Sequence, residues 1–297
     1  MASSGVARAV DRAQAIRRVK GVGGLVRRGI EKPLERVAST IDYYRYRGSY
    51  PVNVIFVASL PKSGSTWVAN MLASLDGFRR QNPSGWRPTS RGVRNHDLYG
   101  GMLKEFHRAL AVVKGHTNGT AGNAGLLAAS GLPYVLTVRD PRDTLISAYW
   151  HIRNDKTHVN HSYARSLELA EWLWLESDTT TAREHPASWL RGWMEHRDVE
   201  RSMVVRYEDL IAETSPVFRS LLEFLGIDHG ELDVDGIIET NSFEAVTGRK
   251  RGEQNTESFV RKGSPGEWRD LYDEGLRRRF AASSEDIVEA FGYEPTL

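Results

Sequence analysis

One short stretch decides most of what this chain can fold into. Residues 51–67 read Pro-Val-Asn-Val-Ile-Phe-Val-Ala-Ser-Leu-Pro-Lys-Ser-Gly-Ser-Thr-Trp. An apolar, β-branched run from Val52 to Val57 ends at Leu60-Pro61, passes through Lys62-Ser63-Gly64-Ser65-Thr66, and enters a helical spacing of apolar residues at Trp67, Met71, Leu72 and Leu75. Strand, tight turn and helix start in that order make a corner that holds phosphate, because the first N–H groups of a helix have no internal acceptor and point outward. Gly64 lets the backbone approach an anion closely. Lys62 adds a full positive charge, and Ser63, Ser65 and Thr66 add hydroxyl donors. The GxxxxGK[ST] order of a P-loop ATPase is absent, so this is a phosphate loop of a different kind.

Strand and helix signals go on alternating after that corner. Strands are expected at 52–58, 109–114, 134–138 and 202–206, and helices at 65–75, 167–177, 186–197 and 215–225. A further helix opens at Asp140-Pro141, with Asp as the cap and Pro in the first turn. Residues 79–101, 153–166 and 247–267 read as loop, and the C-terminus as helix. Such alternation predicts an α/β fold, a three-layer arrangement of a parallel sheet flanked by helices, and the phosphate loop after its first strand makes it P-loop-like.

The chain has 297 residues, 40% hydrophobic and 26% charged, which suits a globular protein with a sizeable core. It has no cysteine, which excludes disulfides, thiol catalysis and thiolate metal sites, and no apolar run long enough to span a bilayer. No signal-peptide core follows Met1, and a cytoplasmic location is expected. Charge is unevenly placed. Residues 1–50 hold eleven Lys/Arg against four Asp/Glu, a surplus of seven; with +2 for the whole chain, the rest carries −5. Two domains are therefore expected: a basic helical extension over 1–49 and a compact domain over 50–297. The extension either is solvated, touches an anionic membrane surface weakly, or packs on another subunit in a homo-oligomer. The acidic body argues against nucleic acid as the main ligand.

Three more motifs follow the phosphate loop: Val138-Arg139-Asp140-Pro141-Arg142-Asp143-Thr144-Leu145-Ile146-Ser147; Arg206-Tyr207-Glu208-Asp209-Leu210, just after a strand; and Arg261-Lys262-Gly263-Ser264-Pro265-Gly266-Glu267-Trp268. In this order and spacing, over roughly residues 52–282, the chain resembles the cytosolic-type sulfotransferases that use 3′-phosphoadenosine 5′-phosphosulfate (PAPS), in a bacterial-like form.

The resemblance implies roles residue by residue. Lys62, Ser63, Gly64, Ser65 and Thr66 look like the loop that grips the 5′-phosphosulfate, with Trp67 stacking on the adenine. Arg139 and Ser147 look like the pair on the 3′-phosphate, and Arg261, Lys262 and Gly263 like the segment that closes over it. Tyr207, Ser242 and Phe243 resemble adenine-side contacts, with Asn241 where the family more often has Thr or Ser. The family's Lys-x-His-x pattern falls on Lys114-Gly115-His116-Thr117, which makes His116 the implied general base; Lys62, Lys114 and Ser147 complete the implied catalytic set. The family leaves PAP, the 3′,5′-bisphosphate, as product and uses no metal.

The residues make chemical sense by themselves. PAPS carries two phosphates and a sulfate, so its binder needs more than one anion site, and Arg suits a terminal phosphate because its planar fork binds two oxygens. Sulfuryl transfer is an in-line displacement in which positioning and charge stabilisation dominate. The expected function is transfer to a hydroxyl or amine of a small molecule, sugar or lipid, the acceptor pocket drawing on 79–107 and 150–165 with Trp86, Tyr99, Phe106, Trp150 and Tyr163. Trp172, Trp174, Trp189 and Trp193 read as core or pocket wall, and Gly248 to Lys250 as a solvated loop. The alternatives are a nucleotide-dependent small-molecule kinase, disfavoured by the missing P-loop pattern, and a protein that uses its basic arm to bind a membrane or partner.

Overall fold

Five parallel strands, β1 (Val54–Ser59), β2 (Arg79–Gln81), β3 (Ala111–Gly115), β4 (Tyr134–Val138) and β5 (Ser202–Arg206), form a sheet in the order β2-β3-β1-β4-β5. They are seen in a computed structural model that describes residues 37–86, 96–180, 185–253 and 261–297. The strand order reverses direction at β1, which sits in the middle and is buried along its whole length.

Side chains of a strand alternate between faces, and the sheet uses this to build two cores. Ile55 and Val57 of β1, Val112 of β3 and Val135 of β4 face one core, which the Ser65–Ala73 and Thr214–Phe224 helices complete with Val68, Leu72, Phe218 and Leu222. Val54, Phe56 and Ala58, with Val113, Leu136 and Val138, face the other, closed by Leu127 of the Ala121–Ser130 helix and by Leu190 and Trp193 of the Pro186–His196 helix. Helices cover both faces, as the three-layer expectation requires. A third cluster joins the Pro141–Asn154, Leu169–Glu176 and Glu274–Ala290 helices through Leu145, Tyr149, Leu173 and Phe280.

Two elements depart from the sequence reading. Arg79–Gln81 lies in a stretch read as loop, yet pairs with β3 as an edge strand. Its three polar residues carry no strand signal, and only the exposed edge of β3 recruits them. His161–Arg165, inside another expected loop, forms a short helix against which Arg153 donates to the carbonyls of Ala164 and Leu167.

The chain divides into two compact units, Met1–Ile41 and Asp42–Leu297. The boundary read from sequence lies at 49/50. The intervening tyrosines account for the difference: Tyr43 and Tyr46 pack, with Tyr50, against the core that contains Ile55 and Val57. Residues 1–36, on which most of the expected basic arm falls, lie outside the described residues. Among the described residues no helix is long and apolar enough to cross a membrane.

Candidate active site

In a parallel sheet the strand ends that point one way bring their loops together, and ligands collect at the carboxyl ends beside a reversal of strand order. Here those ends supply Leu60 to Gly64 after β1, His116 after β3, Arg139 after β4 and Tyr207 after β5. All four segments line one cavity of about 1260 Å³.

The first segment is bent sharply. Lys62 has φ of 69°, the one positive value outside glycine among the described residues, and Gly64 follows at 73° as the cap of the Ser65–Ala73 helix. No side chain caps that helix, so its leading N–H groups are left for a ligand. Gly64 is needed twice over: a side chain would be strained at this φ, and a Cβ would come within 2.8 Å of the Tyr207 ring. Lys62, Ser65, Thr66 and Trp67 line the cavity. Ser63, which the sequence reading counts among the anion donors, does not line the cavity. Its N–H and hydroxyl both donate to the Leu60 carbonyl, at 3.3 and 2.7 Å, and the hydroxyl also pairs with Thr137 at 2.9 Å. It braces the turn against β4 from a buried position.

Arg139 is buried over the face of Tyr207, 4.5 Å from the ring centre, and its Nη1 and Nη2 reach the carbonyls of Lys62 and Ser264 at 3.3 and 3.4 Å. It thus ties the phosphate loop to the late segment that begins at Arg261. Asp143 holds this arrangement from behind: it lies 3.6 Å from Arg139 and accepts from the N–H groups of Gly266 and Trp268. Arg142 is structural, fully buried against Trp268, with a two-pronged bond to Asp140. Asp140 caps the Pro141–Asn154 helix through the N–H of Arg142, as its sequence position implies. Ser147, two turns into that helix, reaches the cavity.

The late segment closes the same end. Gly263, at φ of 69°, lies so near Phe243 that a Cβ would meet the ring at 2.6 Å. Arg261 and Lys262 line the cavity, but both terminal nitrogens of Arg261 are engaged by Glu267, which fixes the guanidinium in place. Ser242 lines the cavity too, although its hydroxyl caps the short helix that starts at Phe243. Arg251 is a residue the sequence reading missed. It sits 5.2 Å from the Trp67 ring centre and 5.7 Å from that of Phe243, and lines the cavity. Its signal was the basic run after Gly248, which stops one residue short of it in that reading.

His116 stands deep in the cavity wall. Its Nδ1 is 2.9 Å from the Ser59 hydroxyl and 3.0 Å from the Ser59 carbonyl; with the hydroxyl donating to the Gly115 carbonyl at 3.1 Å, Nδ1 is the donor to Ser59 and Nε2 keeps its lone pair. Nε2 lies 3.5 Å from Nζ of Lys114. His96 accepts from the backbone N–H of His116 at 2.9 Å. Burial first, then the charge of Lys114, pulls His116 down to about 3, so the ring is neutral at neutral pH. Burial likewise pulls Lys62 down to about 7, with help from Arg139, Lys114 and Arg261. An entering anion offsets these cations and raises both groups.

The remaining wall differs from the expected acceptor pocket. Segments 96–97 and 151–160 do contribute, through His96, Asp97, His151 and Asn160. Trp86 and Phe106 are instead buried in the core, where their size fills the space beside Phe56. Trp172 and Trp189 do line the cavity, whereas Trp193 is buried and Trp174 is exposed. Glu176, His185 and Ser188, which the sequence reading did not single out, complete this wall. Among the described residues no group of acidic, histidine or cysteine side chains could hold a metal ion.

A sulfotransferase-domain family model matches residues 53–292. Among curated proteins, the guinea-pig (Cavia porcellus) 3-alpha-hydroxysteroid sulfotransferase is 26% identical over 174 residues, covering 55% of this chain and 58% of the relative. This chain thus spans little more than half of that relative's length. The rat (Rattus norvegicus) sulfotransferase 1E1 is 26% identical over 253 residues, covering 76% and 80%. A solved mouse sulfotransferase complexed with PAP superposes with a TM-score of 0.60 at 18% identity, over 83% of this chain and 88% of that one. At that identity the likeness speaks for the fold.

Proposed function

Because the chain belongs to the sulfotransferase family, we propose that it moves a sulfuryl group from PAPS to an acceptor hydroxyl, with His116 as the general base. The observation that carries this reading is the convergence of Lys62, His116 and Arg139, from three different strand ends, on one cavity. The chain's own residues fit the donor. Buried Nε1 of Trp67 and Nε of Arg139 have no hydrogen-bond partner among the described residues, and both belong to the cavity wall. Such groups are stable only if a ligand or water meets them.

When bound, PAPS supplies an activated sulfuryl group whose departure leaves added negative charge on a phosphate oxygen. Lys62 and the start of the Ser65–Ala73 helix place positive charge there without reorganising. Arg139 and Ser147, with Arg261 and Lys262 at the rim, hold the 3′-phosphate and so fix the in-line geometry. Trp67, Phe243 and Arg251 form a stacking slot for the base. His116 Nε2 takes the proton of the acceptor hydroxyl, and the Ser59 carbonyl steadies the imidazolium through Nδ1.

Isothermal calorimetry tests the donor site. PAP should bind far more tightly than 5′-AMP, and equal affinities would overturn the 3′-phosphate assignment. Lys62 adds a pH signature. Its amine titrates at about 7 before binding and is raised by the anion, so binding takes up a proton above that pH. Affinity for PAP should fall by up to about tenfold per unit as the pH rises from about 7 to about 9. Lys62→Met should weaken binding and flatten the profile, and a flat profile in the unmodified protein would remove Lys62 from the site.

A further inference from the structure

The edge strand β2 pairs with β3 only as far as Gln81 opposite Val113, so the end of β3 and His116 beyond it have no ladder partner on that side. A different segment fills the place. The backbone N–H of His116 donates to Nδ1 of His96 at 2.9 Å, and the Thr117 hydroxyl donates to the His96 carbonyl at 2.7 Å. Two bonds thus clamp residue 96 to residues 116 and 117, and they satisfy backbone groups that are costly to leave unpaired away from water. An imidazole nitrogen accepts only while it is unprotonated, so His96 meets His116 with a bare Nδ1 and carries its proton on Nε2.

His96 is itself held in place. Its ring centre lies 4.8 Å from that of Trp86 and 5.6 Å from that of His116. Trp86 is buried, and its indole N–H donates to the Asp97 carbonyl at 3.1 Å. Asn123 of the Ala121–Ser130 helix grips the same segment: its Nδ2 donates to the Asp97 carboxylate at 3.1 Å, and its Oδ1 accepts from the N–H of Leu98 at 2.9 Å. Gly115, between Lys114 and His116, makes room for this arrangement. Its φ is not in the left-handed region, so the requirement there is space: a Cβ would run into the Trp86 ring and crowd the Thr117 hydroxyl. The glycine in the Lys-Gly-His run is therefore matched to the tryptophan that packs beside His96.

Resting on the reading of His116 as the base, we infer that His96 is its positioning residue. Nδ1 of His96 fixes the backbone of His116, Ser59 fixes the ring through its own Nδ1, and Trp86 keeps His96 in register. A reacting group displaced by about 1 Å loses about 10²-fold in rate. The clamp leaves the donor site alone, because Lys62 and Arg139 stand at the ends of β1 and β4.

The test uses the full chain with three substitutions. His96→Leu removes the hydrogen-bond acceptor at nearly constant bulk. His96→Asn returns an oxygen at the position of Nδ1. Thr117→Val releases His96 from the other side. Turnover is measured with labelled PAPS and whichever of a panel of simple alcohols, phenols and hydroxysteroids is sulfated fastest. His96→Leu should lower kcat by about 10–100-fold, with KM for PAPS and the affinity for PAP unchanged. His96→Asn should restore most of that loss. Thr117→Val should lower kcat in the same direction, and its effect should not add to that of His96→Leu, as expected of two bonds in one clamp. NMR of protein carrying labelled histidine reads the clamp without any sulfated substrate, and His96 should show a bare Nδ1. A protonated Nδ1 overturns the inference. So does an unchanged kcat in His96→Leu, a loss that His96→Asn does not repair, or a fall in PAP affinity that matches the fall in kcat. In each of these cases the role of His116 still stands on its own alanine variant. Near-normal turnover in His116→Ala instead removes the base reading, and this inference with it.

Discussion

His116→Ala is expected to lower turnover by about 10²–10⁴-fold, the usual worth of a positioned general base, while PAP affinity stays nearly unchanged. The split follows from the geometry. Nε2 of His116 is turned to Lys114 and the cavity, and Nδ1 is held by Ser59. The ring also sits below its ordinary range, at about 3, because burial and two lysines disfavour the imidazolium. Entry of a multiply charged anion beside Lys62 and Lys114 relieves that bias, so the base strengthens when the donor is in place. Single-turnover rates with a saturating donor, alongside calorimetry with PAP, measure the two effects separately. Near-normal turnover would move the base elsewhere. His96 is then the stronger candidate, since it bonds the backbone of His116 and lines the cavity, whereas His107 is exposed and bonds its own turn.

Arg139→Ala should abolish most of the preference for PAP over 5′-AMP, a loss of roughly 1.5–3 kcal/mol for a charged hydrogen bond, or about 10–150-fold in relative affinity. The residue is buried, so part of any change could come from the scaffold: its removal leaves Asp143 facing an empty site and unties the Lys62 and Ser264 carbonyls. Comparing the two nucleotides cancels that scaffold contribution, because both use the phosphate loop. A drop shared equally by PAP and 5′-AMP would show that Arg139 shapes the loop and does not hold the 3′-phosphate.

Much of this site is legible in the sequence. The corner at 51–67 is local: a buried strand, a glycine at positive φ and an uncapped helix start all lie within a few residues of one another. Asp140-Pro141 announced its helix for the same reason, since cap and first turn are neighbours in sequence. Lys62, Gly64, Trp67, Arg139, Ser147, Tyr207 and His116 could each be singled out from short motifs, and the fold brings all of them to one cavity. Ser63 shows the limit of that reading. A hydroxyl in a phosphate loop looks like a ligand, but which way it turns depends on Thr137, seventy-four positions away on β4.

What the sequence determined by itself, then, is the set of local devices: the alternation that makes a parallel α/β sheet, the anion corner, the capped helix after β4 and the Lys-x-His pair at the end of β3. What only the tertiary structure decided is how they meet. The order β2-β3-β1-β4-β5 sets β1 between its partners and so brings the loops after β1, β3, β4 and β5 to one mouth. The same packing sends Trp86 and Phe106 into the core and leaves Glu176, Trp172 and His185 on the cavity wall. Burial, and with it the depressed proton affinities of Lys62 and His116, belongs to this second class. The physical reason is one of range: caps, turns and strand alternation are set by neighbours within a helical turn, whereas desolvation and side-chain facing are set by whatever distant segments fill the space around a group.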